Sequence, residues 1–128
     1  MQDFSIRNTT KSEPPISGAL FCKMKDAVLG KKYDLSVAFV GEAKIRALNN
    51  MYRKKDYVTD ILSFPISETS GEIIICEKKA NQKAKLYDRK SQNFLYFLFI
   101  HGLVHLKGFD HGAIMEKEEE KFRKKFGI

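Results

Sequence analysis

All three histidines of this 128-residue chain lie in one stretch of eleven residues near its end, 101–111. His101 and His105 are four residues apart, so a helix would place both imidazoles on one face, one turn apart. Gly108 follows, and glycine readily adopts the left-handed backbone that ends a helix and turns the chain. That turn would bring His111 back towards the other two rings. Three imidazoles around one ion, with a fourth position left for water, form the ligand pattern of a catalytic zinc site.

A single histidine on an apolar helix is usually a packing or surface residue, but three at this spacing around a glycine indicate a metal site. We predict one Zn²⁺ per chain, bound by His101, His105 and His111, although the affinity order of divalent metals does not by itself select zinc. The frame H-x-x-x-H-x-x-G-x-x-H is also that of the metzincin proteases. Those enzymes carry a glutamate base directly after the first histidine, where this chain has Gly102. A zinc peptidase is therefore an alternative that has the ligand frame and lacks the base.

Length and composition predict one domain covering residues 1–128. Hydrophobic residues make up 43% of the chain, including ten Phe and five Tyr, which is enough for a core. The formal net charge is +7 and the isoelectric point about 9.4. A surplus of Lys and Arg favours a polyanionic partner, and RNA or DNA fits better than an acidic peptide.

The two cysteines, Cys22 and Cys76, are far apart and lack C-x-x-C spacing, so we expect both to be reduced. From the first residues and the length of the apolar runs, we expect neither a secretory leader nor a membrane-spanning segment. These features predict a cytoplasmic protein without membrane contact. Cys76 stays open as a fourth metal ligand, although its spacing from the histidines offers no support.

The apolar pattern predicts an α+β fold in which a small mixed sheet of about four strands packs with about five helices. The strands are expected at 4–7, 35–40, 61–64 and 73–75, with the last two as an antiparallel hairpin. Pro65 should end the third strand or confine it to a sheet edge.

The helices are expected at about 16–28, 42–52, 77–87, 92–107 and from 114 onward. Proline is expected in the first turn of the first helix, and Ser91 at the cap of the fourth. The fourth helix is apolar on most sides, so we expect it to be the buried centre of the fold and a stiff support for the metal ligands.

The histidine stretch, HGLVHLKGFDH at 101–111, resembles the H-G-x-L-H-L-x-G-y-D-H signature of the YbeY-type endoribonucleases. Leu-Asn at 48–49, Tyr-Arg at 52–53 and TDILSFP at 59–65 are similar to the family's L-N-x-x-y-R and T-D-V-L-S-F-P segments. GEIIIC at 71–76 is similar to its G-D-I-v-I-c strand. The three segments agree with the family in order and rough spacing.

The resemblance implies a compact α+β fold with zinc held by the three histidines, and a single-strand-specific, metal-dependent endoribonuclease. It implies action in maturation of the 3′ end of small-subunit (16S) ribosomal RNA and in ribosome quality control. The implied partners are RNA, the small ribosomal subunit, a ribosomal protein of the uS11 type and an Era-type GTPase. Lys54 and Val58 replace the family's common Gly and Pro, so the loop between them is expected to differ in shape.

Two residues are candidates for catalysis. Arg53 falls on the arginine that the resemblance marks as functional, and its planar guanidinium suits phosphate binding; the alternative is a surface arginine paired with Asp56. Asp110 would either orient an imidazole or cap the turn after Gly108. Zinc lowers the pKa of its water from 15.7 to about 7, and the residues leave open whether water or the RNA 2′-OH attacks phosphorus.

A third alternative is not an enzyme. A zinc-stabilised assembly factor would bind ribosomal RNA through its basic surface and hold the metal for structure alone. A closed site with a fourth protein ligand would favour it, whereas an open position facing a basic cleft with Arg53 would favour the nuclease.

Overall fold

Four short runs rich in β-branched and aromatic residues form one mixed sheet in the computed structural model, which describes residues 3–128. They are β1 (Phe4–Asn8), β2 (Asp34–Phe39), β3 (Ile61–Ser67) and β4 (Ser70–Ile75). The strand order is β1-β2-β4-β3, with β1, β2 and β4 parallel and β3 antiparallel to β4. The predicted mixed sheet and its antiparallel hairpin are confirmed.

Five helices pack on this sheet within the same residues: α1 (Gly18–Leu29), α2 (Glu42–Arg53), α3 (Glu77–Leu86), α4 (Ser91–Leu106) and α5 (Ala113–Phe126). Successive strand residues point to opposite faces of a sheet, and the two faces here carry different helices. One hydrophobic cluster joins strand residues such as Val37 and Ile73 to α1, α3, α4 and α5. A smaller cluster joins Ala38 and Ile74 to α2. The α+β prediction is confirmed.

α4 is the central helix. It contacts α1, α3, α5, β3 and β4, and its buried residues lie on most of its sides. Phe99 stacks on Phe21 of α1, with 3.8 Å between ring centroids. A helix that is apolar on most sides is buried on most sides, and the prediction that the fourth helix is the buried centre of the fold is confirmed. His101 and His105 lie in its last two turns, where they are half-buried. Within residues 3–128, neither α4 nor any other helix has the length and apolar character to cross a membrane.

Two helix starts differ from the sequence prediction. α1 begins at Gly18, after both prolines, because the Ser17 hydroxyl accepts a hydrogen bond from the Leu20 amide at 3.2 Å and caps the helix there. The prediction that proline lies in the first turn of α1 was therefore wrong. Ser91 lies inside α4, and the preceding Lys90 occupies the cap position without a side-chain cap hydrogen bond.

Pro65 does not end β3, which continues to Ser67. The second expectation for this proline is confirmed, because β3 is an edge strand of the described sheet. An edge strand tolerates a missing backbone N–H, since one side of the strand needs no ladder hydrogen bond. The pairing with β4 shifts register between Pro65 and Ser67, as at a bulge.

Candidate active site around three histidines

The end of α4 and the loop after it bring the three histidines together. α4 ends at Leu106, and Gly108 adopts φ +113°, a backbone conformation that strongly favours glycine. The loop then returns so that the ring of His111 lies 5.3 Å from that of His101 and 5.2 Å from that of His105, measured between centroids. The rings of His101 and His105 are 6.2 Å apart. The structure thus gathers the three side chains that the spacing selected.

Two of the imidazoles are held by hydrogen bonds at Nδ1. His101 donates from Nδ1 to Oε1 of Glu119 at 2.9 Å, and His105 donates from Nδ1 to the backbone carbonyl of Phe109 at 2.8 Å. A carboxylate and a backbone carbonyl act only as hydrogen-bond acceptors. Each bond therefore places the ring proton on Nδ1 and leaves the lone pair on Nε2. A carboxylate or carbonyl on the far nitrogen is the usual support of a metal-binding histidine.

The donor chemistry of this cluster fits a zinc ion. Three imidazoles that each bind at about 2.0–2.1 Å around a tetrahedral ion have ring centroids about 5 Å apart. Two of the three ring separations match that value, and the pair on α4 is wider. Within residues 3–128, no group of three or more His, Cys, Asp and Glu side chains already has the geometry of a formed metal site. The ligand assignment to His101, His105 and His111 therefore stays a prediction.

Glu119 is a functional candidate that the sequence reasoning missed. It lies on α5, is only 4% exposed, and faces α4 beside the buried residues Met115 and Phe122. Nη1 of Arg123 lies 3.8 Å from its Oε1 and makes no hydrogen bond. Glu119 is four residues after Met115 and three before Phe122, so all three lie on one face of the helix. The sequence signal for its burial was this spacing from two apolar residues.

A second ion pair ties α5 to the end of α4. Lys107, directly after α4, donates from Nζ to Oε2 of Glu118 at 2.9 Å, and Lys121 lies 3.3 Å from Oε1 of the same residue. The hydrogen bond from Lys107 is the main reason that the pKa of Glu118 is lowered. This pair holds the two helices together next to the histidine loop.

Two cavities give access to the histidines. The larger, about 410 Å³, is lined by His101, His111 and Glu119 together with Asp60 and Lys83. The smaller, about 190 Å³, is lined by residues of β3 and of the histidine loop: Ser63, Pro65, His105, Leu106, Gly108, Phe109 and Asp110. A substrate therefore has room on both sides of the cluster.

Asp60 brings a second buried acid into the larger cavity. Only 7% of the residue is exposed, and its Oδ2 lies 3.3 Å from Nζ of Lys83. The hydroxyl of Thr59 donates to Asp60 Oδ1 at 3.4 Å. The Thr-Asp pair thus directly precedes β3 and contributes a carboxylate to the wall of the larger cavity.

Arg53 is the last residue of α2, on the other face of the sheet, and is not among the residues that line either histidine cavity. Its side chain is exposed and has no hydrogen bond or ion pair within residues 3–128. The alternative partner, Asp56, is bound by Arg46 instead, with Nε to Oδ1 at 2.8 Å, and this hydrogen bond lowers the pKa of Asp56. The guanidinium of Arg53 is therefore available to a ligand.

Asp110 is exposed and lies in the wall of the smaller cavity beside His105. It makes no side-chain hydrogen bond within the described chain, either to an imidazole or to the turn after Gly108. The orienting bonds expected of it are made by Glu119 and the Phe109 carbonyl. Its role in catalysis stays a prediction.

Two positions bear on the alternative functions. Gly102, where a metzincin carries its base, faces the sheet: a Cβ there would lie 3.0 Å from Ile61 Cδ1 and from Ser63 Oγ. A glutamate base has no room at this position. Cys76 belongs to the cluster on the α2 face of the sheet, and burial raises the pKa of its thiol. Since the thiolate is the form that binds metal, this environment opposes a fourth ligand from Cys76.

Comparisons with known proteins agree on one family. The family model described as Endoribonuclease YbeY matches residues 4–127. The protein named Endoribonuclease YbeY from Finegoldia magna is 36% identical over 99% of this chain and 90% of its own length. The protein of the same name from Alkaliphilus oremlandii is 40% identical over 69% of this chain and 68% of its own. A solution structure of a Thermotoga maritima protein matches with a TM-score of 0.65 at 24% identity, over 97% of this chain and 89% of that one, which shows the same fold.

Proposed function

The chain belongs to the Endoribonuclease YbeY family, and on that premise we propose that it is a zinc-dependent endoribonuclease that cuts single-stranded RNA. The observation that carries the proposal is the cluster of three imidazoles, two of them fixed by hydrogen bonds at Nδ1, between two open cavities. The net charge of +7 supports a polyanionic substrate.

His101, His105 and His111 would hold the ion, the first two through Nε2. Bound there, zinc would supply Lewis-acid chemistry, polarising a phosphoryl oxygen and lowering the pKa of a coordinated water to about 7. Glu119 and the Phe109 carbonyl accept hydrogen bonds from Nδ1 of the first two rings, so that Nε2 is the nitrogen left free on each ring. With three protein ligands, a coordination position would remain for the substrate or water.

The remaining candidate residues would act on the RNA. Arg53 would donate from its guanidinium to a backbone phosphate of the bound RNA, at the end of α2 and outside the two histidine cavities. Asp110, exposed beside His105, would accept a proton or hydrogen bond from the attacking group. Attack by water and attack by the RNA 2′-OH both fit these roles.

The family membership also supports a biological role. We propose that the RNA is small-subunit (16S) ribosomal RNA, cut at its 3′ end during maturation and in ribosome quality control. The partners would then be the small ribosomal subunit, a ribosomal protein of the uS11 type and an Era-type GTPase. Ribosome assembly would place the protein in the cytoplasm.

The direct test is cleavage of a single-stranded fragment of small-subunit ribosomal RNA by the purified chain, with chelator and with zinc added back. His105→Ala should abolish cleavage, and Arg53→Ala should reduce it, with both variants checked for folding. Arg7→Ala is the matched control for Arg53, because it is an exposed arginine on β1 at the opposite edge of the sheet.

Zinc-dependent cleavage that is lost in His105→Ala and kept in Arg7→Ala is the expected result. Cleavage that survives both the chelator and His105→Ala would come from a contaminating nuclease and would contradict the proposal. Absence of cleavage by the folded, zinc-loaded chain, combined with co-sedimentation with small ribosomal subunits, would transfer support to the assembly-factor alternative.

A further inference from the structure

An aromatic ring at the end of α2 is fixed by the protein and open to solvent. The ring of Tyr52 packs on that of Phe64 in β3, with 5.1 Å between centroids and 59° between planes. Tyr52 is nevertheless 62% exposed. The contact holds the ring in place, and most of its surface stays in water. A ring in this state is preorganised to stack on another planar group.

The residues after Tyr52 give this surface its charge. Arg53, Lys54 and Lys55 follow in succession, and all three are exposed. None of their side chains forms an ion pair or hydrogen bond inside the part of the chain that the structure describes. The acid that comes next, Asp56, is neutralised by Arg46. An exposed aromatic ring followed by three available cations is the combination that binds single-stranded nucleic acid, through base stacking and backbone attraction.

The strand beneath Tyr52 connects it to the histidines. Phe64 lies between Ser63 and Pro65, and these two residues line the smaller cavity with His105. Because successive strand residues point to opposite faces, Tyr52 and the histidine cavity lie on the two faces of the same edge strand. No further strand covers that edge within residues 3–128. An extended ligand can therefore pass from one face to the other around β3.

We propose that Tyr52 is a stacking platform that binds a base of single-stranded RNA and directs the strand around the edge of β3 towards the histidines. The inference rests on the proposed function and adds a specificity determinant to it, namely the requirement for an unpaired base at Tyr52, across β3 from the histidine cavity. A peptide strand is a less suitable ligand for two reasons. Pro65 has no backbone N–H to donate to an added strand, and an uncharged peptide would not neutralise the three cations.

The chain contains no tryptophan, so Tyr52→Trp introduces a single fluorescent reporter at the platform. Phe4→Trp, on the opposite edge strand β1, is the matched control. We expect a short oligoadenylate to quench the emission of Trp at position 52 and to leave that at position 4 unchanged. An oligomer of the same length without bases should quench neither, because stacking requires the base.

Affinity and cleavage give the second arm. Tyr52→Leu keeps an apolar side chain on Phe64 but cannot stack, so RNA affinity should fall on the order of tenfold while the thermal midpoint is retained. Tyr52→Phe should restore wild-type affinity. The loss should appear in KM more than in kcat, since the ring does not touch the reacting atoms.

The outcomes separate the two proposals. Equal RNA affinity of Tyr52→Leu and wild type, or quenching of the control tryptophan alone, would overturn the stacking platform and leave the endoribonuclease standing. Failure of the zinc-loaded wild type to bind or cut any RNA would overturn both. Equal loss of affinity for oligoadenylate and for the baseless oligomer would also overturn the platform, because it would show that only the backbone is recognised.

Discussion

Substitution of Glu119 tests whether the buried contact between α5 and α4 prepares His101 for an ion. Glu119 is 4% exposed, and its Oε1 accepts the hydrogen bond from His101 Nδ1 at 2.9 Å. Glu119→Gln keeps the volume and an acceptor oxygen while removing the charge. Glu119→Ala removes the acceptor and also the carboxylate 3.8 Å from Arg123 Nη1, although Arg123 Nη2 keeps its ion pair with Glu116.

The magnitudes follow from the type of bond. A hydrogen bond to a charged group contributes about 1.5–3 kcal/mol and a neutral one about 0.5–1.5 kcal/mol. The difference of about 1 kcal/mol predicts that Glu119→Gln weakens zinc binding by about fivefold. Glu119→Ala should weaken it by about 10–100-fold, the range for loss of a carboxylate behind a ligating histidine. Glu119→Ala should also lower stability, because it removes a buried acceptor from between α4 and α5 and leaves His101 Nδ1 without its hydrogen-bond partner.

The assay is competition for zinc against a chromogenic chelator at fixed pH, together with thermal unfolding of the metal-free chain. Glu120→Gln is the matched control, since Glu120 is an exposed acid on the same helix that pairs with Lys124. Equal zinc affinity of wild type, Glu119→Gln and Glu119→Ala would show that Glu119 does not support zinc binding. It would mean that His101 either does not bind the ion or needs no support to do so.

Two further predictions concern how the fold holds the end of α4. Gly71→Ala should destabilise the chain by about 1–3 kcal/mol in thermal unfolding, because the added Cβ would overlap the Tyr33 hydroxyl and lie 3.1 Å from Leu106 Cδ2. Gly18→Ala is the control and should be nearly neutral, since the nearest atom to its Cβ is 3.7 Å away. Equal stability of the two variants would contradict this explanation. The pKa of Glu118 is lowered in the folded chain, so its pairing stabilises the fold at pH values above the unfolded pKa of about 4.3 and is lost as the pH falls through the folded value. Lys107→Met should therefore cost up to about 1 kcal/mol in denaturant unfolding at neutral pH and almost nothing at strongly acidic pH, and a cost that is independent of pH would rule out this explanation.

The sequence predicted most of the fold because periodicity reports burial directly. The alternating or continuous apolar runs of the strands and the nearly all-apolar α4 leave few other arrangements. Helix ends were less predictable, because several neighbouring polar residues could accept a hydrogen bond from a free backbone N–H of the first turn. Ser17 caps α1 and Ser91 does not cap α4, although both precede apolar stretches.

The site was predictable where its residues are close in sequence. The three histidines are contiguous enough for helix geometry and one glycine turn to bring them together. Glu119 acts from another helix, and its burial depends on how α5 packs on α4, which local patterns only suggest. For Arg53, the sequence selected the residue as a candidate but did not predict its position. α2 packs on the sheet face opposite α4, and this packing depends on tertiary structure.

A zinc titration shows directly whether one zinc ion at the three histidines enables RNA cleavage. Metal-free chain would be supplied with zinc in small steps, and the rate of cleavage of a single-stranded ribosomal RNA fragment measured at each step. We expect the cleavage rate to rise in proportion to zinc, to level off at one equivalent per chain, and to stay at zero for His111→Ala. A cleavage rate that is already full without zinc, or that rises equally in His111→Ala, would contradict zinc-dependent cleavage at the three histidines.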